Sequence, residues 1–299
     1  MQGFRVQPGF FEMIIRYALL AALGTVLAAA VPAQQAPALR APVIRQVDQL
    51  QITSVDPDGL FRIFTETLEL PVVWPLTRNQ QYVTGAFSTG NLTVEIYRYE
   101  GTQQSPAAHF SGIIFEPYPM DYVLDELKYL RVRHGKPETH VSTLPGGKEG
   151  VLWTRVELPS ISRLSFRAFL YEYSPSFLRV EVRRKQLGNR LTLNDGGPLG
   201  LLGAKEIVIA AADMAKERKA WEQILGKPSS SGTFTAGTGP AIRVVRGQED
   251  RLEELVLRVK SLNSARNHLK AEKLQGPGSA QTLLLNSSRI QGLKVRLVE

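Results

Sequence analysis

One pattern recurs four times along the 299-residue chain, and it limits the possible folds more than any other feature of the sequence. Its first copy begins at residues 47–53, where Gln49 and Gln51 alternate with apolar residues and so predict a strand with one buried face. Asp56 can then cap a helix. The apolar face of that helix, at positions i, i+3 and i+7, consists of Phe61, Phe64 and Leu68. Extended segments follow, so the unit reads as a strand, a helix and two or three further strands.

The later copies open at residues 112–116, 206–210 and 254–259, each a short apolar strand followed by a capping residue and an amphipathic helix. The spacing is regular, because seven residues separate the first polar strand position from the helix cap in three copies: Gln49 to Asp56, Glu206 to Asp213 and Glu254 to Ser261. In the second copy Asp121 is the expected cap. A pattern repeated at this length indicates one structural unit used several times. The sequence therefore predicts an α+β fold built from four βαβββ modules.

A turn-rich stretch at residues 184–202 divides the four copies into two pairs. Gly196, Gly197 and Pro198 within it predict a tight turn. Each pair is long enough to bury a core of its own. We therefore expect two domains, residues 44–183 and residues 203–299, joined by a linker.

The first 33 residues are predicted to be a signal peptide. Residues 17–31 are apolar over 15 positions, which is short for a membrane span, and they follow Arg16 and precede small residues suited to cleavage after Ala33. A retained N-terminal anchor is the alternative. The chain has no cysteine, which removes disulfides and thiolate metal sites from consideration. We expect a periplasmic or secreted protein that is free of the membrane once the signal peptide has been removed.

The net charge of +8 is unevenly distributed. Residues 199–299 hold 16 Lys and Arg against 10 Asp and Glu, a net charge of +6. Charges of opposite sign alternate there, and no basic cluster is interleaved with aromatic residues, as a nucleic-acid groove requires. We therefore expect a solvated surface and no nucleic-acid partner, although a basic second domain could also serve as a docking surface for another protein.

The sequence of the first copy, VDQLQITSVDPDGLFRIFTETLELPVVWP followed by GNLTVEIYRYEG, resembles the first module of the vicinal oxygen chelate superfamily. The second copy, GIIFEPYPMDYVLDELKYLRVRHG, resembles its partner module. This superfamily includes glyoxalase I, bleomycin-resistance proteins and extradiol dioxygenases. The resemblance implies that two βαβββ modules pair into an open, eight-stranded cup, and hence that this chain forms two such cups. It says little about the chemistry, because one fold supports many reactions.

In the enzymes of this superfamily the cup holds one divalent metal ion, and the resemblance implies a site for Mg, Mn, Fe or Zn in the first cup. The corresponding positions here are Gln49, Glu95, Gly112 and Glu172, so that Gln49, Glu95 and Glu172 are the candidate metal ligands. Glu172 would double as the catalytic base. Gly112 departs from the pattern because it has no ligand atom. As an alternative, a Glu beside a Gln could simply bind water, substrate or an arginine.

The corresponding residues of the second cup are two glutamates and two arginines, Glu206, Arg243, Glu254 and Arg296. They are expected to form ion pairs where a cation would otherwise lie, because two guanidinium groups repel a divalent ion. The alternative is that Arg243 and Arg296 bind an anionic ligand. The second domain is therefore predicted to be degenerate as a metal site.

Four aromatic residues are candidates for ligand contacts in the first cup: Trp74, Tyr97, Trp153 and Tyr173. Aromatic side chains at such positions also serve as ordinary core residues. The resulting hypothesis is a small-molecule-binding protein with metal-dependent lyase, isomerase or dioxygenase chemistry. The alternatives are a non-catalytic protein that sequesters its ligand and a partner-binding protein. Both a monomer and a homodimer are compatible with the sequence.

Overall fold

A computed structural model describes residues 42–101, 107–144 and 147–299 of the chain. The predicted signal peptide, residues 1–33, lies outside these ranges. In the first half of the chain the strands are β1 (Ile44–Thr53), β2 (Val72–Arg78), β3 (Tyr82–Ser88), β4 (Thr93–Tyr99), β5 (His109–Pro117), β6 (Glu138–Thr143), β7 (Glu149–Glu157) and β8 (Arg167–Tyr173). In the second half they are β9 (Leu201–Ala211), β10 (Thr233–Phe234), β11 (Ala241–Arg246), β12 (Arg251–Val259), β13 (Gln275–Gly278), β14 (Leu283–Leu285) and β15 (Val295–Val298).

The α-helices of the described residues are α1 (Pro57–Arg62), α2 (Met120–Tyr129), α3 (Val180–Leu193), α4 (Met214–Leu225) and α5 (Leu262–Ala271). Helix α1 continues directly as a π-helix over Ile63–Thr67. Three predicted helix caps are confirmed, because the side chains of Asp56, Asp213 and Ser261 each accept a backbone N–H of the first turn. The prediction for α2 was wrong in one respect: this helix begins at Met120 after Pro119, before the expected cap at Asp121. None of the helices in the described ranges is both long enough and apolar enough to cross a membrane.

The fold is a mixed α+β arrangement around one large sheet whose main strand order is β10-β11-β9-β12-β5-β1-β4-β3-β2. In each copy of the repeat the first strand lies parallel to the last: β1 beside β4, β5 beside β8, β9 beside β11 and β12 beside β15. The first strands then pair antiparallel, β1 with β5 and β9 with β12. In the third copy, only the short β10 and β11 follow the helix. Four complete βαβββ modules therefore remain a prediction.

The two halves of the chain share one hydrophobic core cluster. Phe115 of the first half meets the fully buried Trp221 of the second, with ring centroids 6.1 Å apart. Next to this contact, the buried Glu217 accepts hydrogen bonds from Trp221 Nε1 at 2.8 Å and from Arg163 Nε at 2.9 Å. Apolar packing and a buried ion pair therefore both cross the boundary between the proposed domains. The division into two domains stays a prediction.

The predicted linker at residues 184–202 contains most of helix α3. Leu191 of this helix lies in the core cluster, so the helix packs against the rest of the molecule. The turn predicted from Gly-Gly-Pro is present: Gly196 and Gly197 have φ values of 82° and 63°, in the left-handed region that favours glycine. A methyl group on Gly196 would overlap the backbone of Leu201. The sequence pattern therefore located the turn but did not reveal the helix before it.

Candidate functional site

The first cup is the polar face of the strands in the first half of the chain. On β4, Val94 and Ile96 are buried in the core, so Glu95 and Tyr97 point to the opposite face. On β1, the register against β5 shifts between Val47 and Gln49. A bulge of this kind breaks the alternation of side chains, so two neighbouring residues can project on the same side of the strand. Here the side chains of Asp48 and Gln49 both reach Tyr173, across the cup.

The carboxylate of Glu95 accepts two hydrogen bonds at the base of this cup. Thr84 Oγ1 donates to Glu95 Oε1 at 2.8 Å, and Gln51 Nε2 donates to Glu95 Oε2 at 2.8 Å. Burial raises the pKa of Glu95 above its ordinary value, and the charge of Asp48 raises it further, although the two hydrogen bonds act in the opposite direction. Thus the amide that contacts Glu95 is that of Gln51, two residues after the predicted Gln49.

Gly112, where the superfamily pattern would have a ligand, lies opposite Gln51 in the β1–β5 pair. A methyl group on Gly112 would overlap Gln51 Oε1. The missing side chain therefore leaves room for the Gln51 amide that bonds to Glu95. The departure noted in the sequence is explained by the close approach of a neighbouring side chain.

Gln49 belongs to a second polar group, which surrounds the carboxylate of Asp48. Gln49 Nε2 donates to the hydroxyl of Tyr173 at 2.7 Å, and that hydroxyl donates to Asp48 Oδ2 at 2.7 Å. Burial, followed by the charge of Asp48, raises the pKa of Tyr173 well above its ordinary value. Tyr173 therefore serves as a hydrogen-bond donor to the buried Asp48, and the structure brings the predicted residues Gln49 and Tyr173 together.

Arg183 of helix α3 neutralises Asp48. Its Nη2 atom lies 3.0 Å from Asp48 Oδ1 and 3.1 Å from Oδ2, and its Nη1 donates to Thr93 Oγ1 at 3.0 Å. The exposed fractions of the two side chains are only 9% for Arg183 and 0% for Asp48. Burial alone would lower the pKa of Arg183, but the adjacent carboxylate and Tyr173 hold it above its ordinary value. The guanidinium also lies over the ring of Tyr173, 4.9 Å from its centroid.

The ion pair between Asp48 and Arg183 was not predicted from the sequence. Asp48 falls at the bulge, where simple alternation assigns the wrong face, and Arg183 belongs to the stretch at the edge of the expected linker. Neither residue lies at a position that recurs in the four copies of the repeat. The one available signal was that an aspartate in a strand of buried residues needs a partner.

Glu172, the predicted base and metal ligand, lies on the other side of β8. Its Oε1 accepts the backbone N–H of Met120 at 3.0 Å, and so it stabilises the start of helix α2 in place of Asp121. Alternation explains the placement, because the neighbouring Leu170 is fully buried in the core and shares a face with Glu172. The structure therefore does not bring Glu172 to Gln49 or Glu95, and Tyr171 and Tyr173 point into the cup instead.

Aromatic side chains form the wall of the first cup opposite Glu95. Trp153 stacks on Tyr171 with ring centroids 4.9 Å apart, and Tyr97 contacts Tyr99 at 5.3 Å. Burial raises the pKa of Tyr171 to about 12, and the nearby charge of Glu95 contributes to the shift. Trp74 lies on β2, paired with Ala86 of β3. Glu95 and three of the four predicted aromatic residues, Tyr97, Trp153 and Tyr173, thus belong to one aromatic-walled cup, which Tyr171 completes.

The predicted metal ligands do not form a converging donor set. In the parts of the chain that the structure describes, no group of three His, Cys, Asp or Glu side chains could hold a metal ion. Both oxygens of Glu95 already accept hydrogen bonds, Glu172 caps a helix, and Asp48 is neutralised by Arg183. The residues present do not fit the divalent metal that the resemblance implied, so no chemical step is assigned to one.

The second cup contains the predicted ion pairs. Arg243 Nε donates to Glu206 Oε2 at 2.9 Å, and Arg296 Nη2 donates to Glu254 Oε2 at 2.6 Å. The four residues lie on four adjacent strands in the order β11, β9, β12 and β15. Arg243 and Arg296 border two cavities, of about 420 Å³ and about 260 Å³. The prediction of paired charges is therefore confirmed, and open space remains beside them.

Comparison with known proteins identifies the fold. No family model matches the chain, and no curated protein matches it. Among solved structures, it is similar to homoprotocatechuate 2,3-dioxygenase from Brevibacterium fuscum in complex with 3,4-dihydroxyphenylacetate, with a TM-score of 0.53 and 13% identity over 88% of this chain and 83% of the other. The same enzyme from Arthrobacter globiformis gives a TM-score of 0.53 and 13% identity over 88% and 82%. At this level of identity, the likeness supports a dioxygenase-like fold and says nothing about activity.

Proposed function

We propose that this protein is a degenerate member of the vicinal oxygen chelate superfamily that binds a small, partly aromatic organic molecule in its first cup. The observation that carries the proposal is the Glu95 carboxyl, whose two oxygens are held by Thr84 and Gln51 beside the aromatic wall of Trp153 and Tyr171. An apolar wall with a small number of fixed polar groups is the usual composition of a small-molecule site.

The electrostatics of the first cup favour a neutral, hydroxyl-bearing ligand. The raised pKa of Glu95 means that its carboxyl holds a proton more readily than an exposed glutamate does. A protonated carboxyl can donate a hydrogen bond to a ligand oxygen, and an ionised one can accept a bond from a hydroxyl. Flat aromatic ligands would stack on Trp153 and Tyr171. An added anion would instead be repelled by Glu95 whenever its carboxyl is ionised.

Metal-dependent lyase, isomerase or dioxygenase chemistry was the other function implied by the resemblance. It requires several oxygen or nitrogen ligands around one point. Of the three predicted ligands, Gln49 donates its amide to Tyr173, and Glu172 accepts the backbone N–H of Met120. Glu95 is then the one predicted ligand that remains beside the aromatic wall. The proposal is therefore one of ligand binding. Measurement of bound metal in the purified protein tests it independently, and a stoichiometric divalent metal lost in Glu95→Gln would overturn it.

The choice of a first probe follows from the structural neighbour, whose complex contains 3,4-dihydroxyphenylacetate. This compound and the uncharged catechol would be titrated into the protein while tryptophan fluorescence is recorded. We expect saturable quenching, with catechol bound more tightly than the anionic compound. Glu95→Gln is expected to weaken binding about tenfold, the usual effect of one hydrogen bond between a charged group and its partner.

The matched control is Glu172→Gln. It makes the same chemical change in the other predicted glutamate, and the Gln side chain keeps an oxygen that can accept the Met120 N–H. Ligand affinity should stay within about twofold of the wild type, since this change is remote from the cup. If Glu172→Gln weakened binding and Glu95→Gln did not, the ligand would contact Glu172 and not Glu95, and the present proposal would be wrong.

Export forms part of the same proposal. The signal peptide of residues 1–33 and a periplasmic or secreted location follow from the sequence, as does a monomer or homodimer that has no nucleic-acid partner. Determination of the N-terminal residue of the protein recovered from the periplasm or the medium checks the first point. We expect Gln34 to be the first residue, and an intact Met1 would contradict it.

A further inference from the structure

The second cup has the features of an anion site of its own. The smaller cavity, of about 260 Å³, is lined by three cationic side chains, Lys205, Arg243 and Arg296, and by one carboxylate, Glu206. With Glu254, which is bonded to Arg296, the net charge around this cavity is +1. Cavity walls of low polarizability strengthen the attraction of such a cluster for an anion.

The larger cavity, of about 420 Å³, has a different lining. It shares Arg243 and Arg296 with the smaller one, but its other walls include the apolar side chains of Val208, Val245 and Leu284. Its charges are balanced, because Glu253 and Glu254 oppose the two arginines. Arg243 and Arg296 thus border both cavities, the smaller one with an excess of cationic side chains and the larger one with partly apolar walls.

Both arginines are oriented by the chain and can still make further bonds. Glu206 and Glu254 hold Arg243 and Arg296 by hydrogen bonds across neighbouring strands. Within the described part of the chain, Arg296 Nε is buried without a hydrogen-bond partner. A buried donor without a partner is costly, and a bound water or ion that accepts its hydrogen bond is one explanation. Residues 199–299 also have a net charge of +6, which favours the approach of an anion over long distances.

We propose that the second cup binds a small organic anion whose doubly charged oxyanion group lies in the smaller cavity, between Lys205, Arg243 and Arg296, and whose apolar body lies against Val208, Val245 and Leu284. A doubly charged group with several oxygens can bond to all three cations, which outnumber the two carboxylates bonded to the arginines. The planar guanidinium groups can each give two parallel hydrogen bonds to such a group. This site is separate from the first cup and does not depend on the function proposed there.

Isothermal titration calorimetry with phenyl phosphate tests the proposal on the full-length protein. Benzoate, inorganic phosphate and phenol serve as comparison ligands, because they lack one charge, the apolar body and the anionic group, respectively. We expect phenyl phosphate to bind with the highest affinity, phenol to give no heat, and the affinity to fall as salt is added. The proposal is overturned if phenyl phosphate shows no saturable binding at about 10 mM, the weak end of specific ligand affinities, or if phenol or benzoate binds equally well.

Variants then locate the site. The double variant Glu206→Gln/Arg243→Gln removes one cation and one anion, so the net charge of the protein is unchanged. It should weaken phenyl phosphate binding by about tenfold to a hundredfold, the loss expected for hydrogen bonds to a charged group. Lys205→Gln alters an exposed residue and should weaken binding severalfold without affecting the fold.

The matched control for the double variant is Asp195→Asn/Lys260→Gln, which removes an exposed ion pair away from the cavities. It should bind phenyl phosphate as the wild type does. Unchanged affinity in both Glu206→Gln/Arg243→Gln and Lys205→Gln would overturn the proposal. Loss of phenyl phosphate binding in Glu95→Gln would also overturn it, because the anion would then occupy the first cup. Catechol binding to the first cup should be the same in all second-cup variants.

Discussion

The two cups of this protein neutralise the carboxylates on their strands in different ways. Each has carboxylates on the polar face of its strands, and each neutralises one or more of them with arginine. In the first cup the arginine is Arg183, which comes from helix α3, outside the repeated units, and forms a fully buried pair with Asp48. In the second cup Arg243 and Arg296 come from the strands themselves and stay partly exposed, at 33% and 26%.

This difference determines what each cup can bind. Arg183 is bonded to Asp48, Thr93 and the carbonyl oxygen of Leu178, so its charge stabilises the folded protein and is not available to a ligand. The first cup is left with Glu95 and an aromatic wall, next to which the partly exposed Arg155 is paired with Glu138. In the second cup the arginines border open cavities, so they can bind a ligand. A shared fold has thus produced one cup suited to a neutral aromatic molecule and another suited to an anion.

The largest effect is expected for Arg183→Met. It leaves the carboxylate of Asp48 buried without its countercharge, which costs about 3–5 kcal/mol in comparable buried pairs. The free energy of unfolding from urea titrations at neutral pH measures the loss. The double variant Asp48→Asn/Arg183→Met should recover much of it, because no charge is then left unpaired. A loss below about 1 kcal/mol is typical of solvent-exposed ion pairs. It would show that the Asp48–Arg183 pair is as hydrated as the ion pairs of the second cup.

Tyr173→Phe should have a smaller effect in the same network. The change removes the hydroxyl that donates to Asp48 and accepts from Gln49, at a cost of about 1–3 kcal/mol for a buried partner left unsatisfied. Tyr122→Phe is the control, since Tyr122 is 36% exposed. Its stability should stay within about 0.5 kcal/mol of the wild type. Equal stability of the two variants would mean that the hydroxyl of Tyr173 adds nothing to the network.

Glu95→Gln is expected to change the pH dependence of stability. Burial raises the pKa of Glu95 above 4.5, so the folded protein binds the Glu95 proton more tightly than the unfolded chain does. The stability that results is fully present below the unfolded pKa and is lost as the pH rises through the folded pKa. Glu95→Gln removes this loss, so its stability relative to the wild type should increase with pH. Urea titrations at about pH 4 and about pH 8 measure it.

The control for this prediction is again Glu172→Gln, which should keep the pH dependence of the wild type at Glu95. The prediction fails if the difference in stability between Glu95→Gln and the wild type is the same at both pH values. Such a result would mean that Glu95 titrates like an exposed glutamate and that the first cup is well hydrated.

Alternation along strands and helix caps were predictable because they depend on residues close in sequence. Alternation assigned Glu95 to the polar face of β4. The caps Asp56, Asp213 and Ser261 lie within three residues of the groups that they bond. In each case the geometry of one strand or one turn was sufficient.

The main features of the first cup depend on contacts that no local pattern contains. Asp48 joins the cup because a bulge interrupts the alternation of β1, and its partner Arg183 is 135 residues away. On β8, residues Phe169, Leu170 and Tyr171 are apolar or aromatic on both faces, so the sequence does not show which face holds Glu172. Helix α3 was hidden by its many polar residues, which resemble those of a linker.

The smallest effect on stability is expected for Arg243→Met, which removes an arginine of the second cup. Arg243 and Glu206 have exposed fractions of 33% and 19%, so Glu206 can be hydrated when its partner is lost. Pairs of this kind contribute about 0–1 kcal/mol, several times less than the buried pair. Urea titrations of Arg243→Met and Arg183→Met under the same conditions give the ratio directly. A loss of about 3 kcal/mol for Arg243→Met, as for a buried pair, would mean that the second cup is closed in solution. Its arginines would then be structural, as Arg183 is in the first.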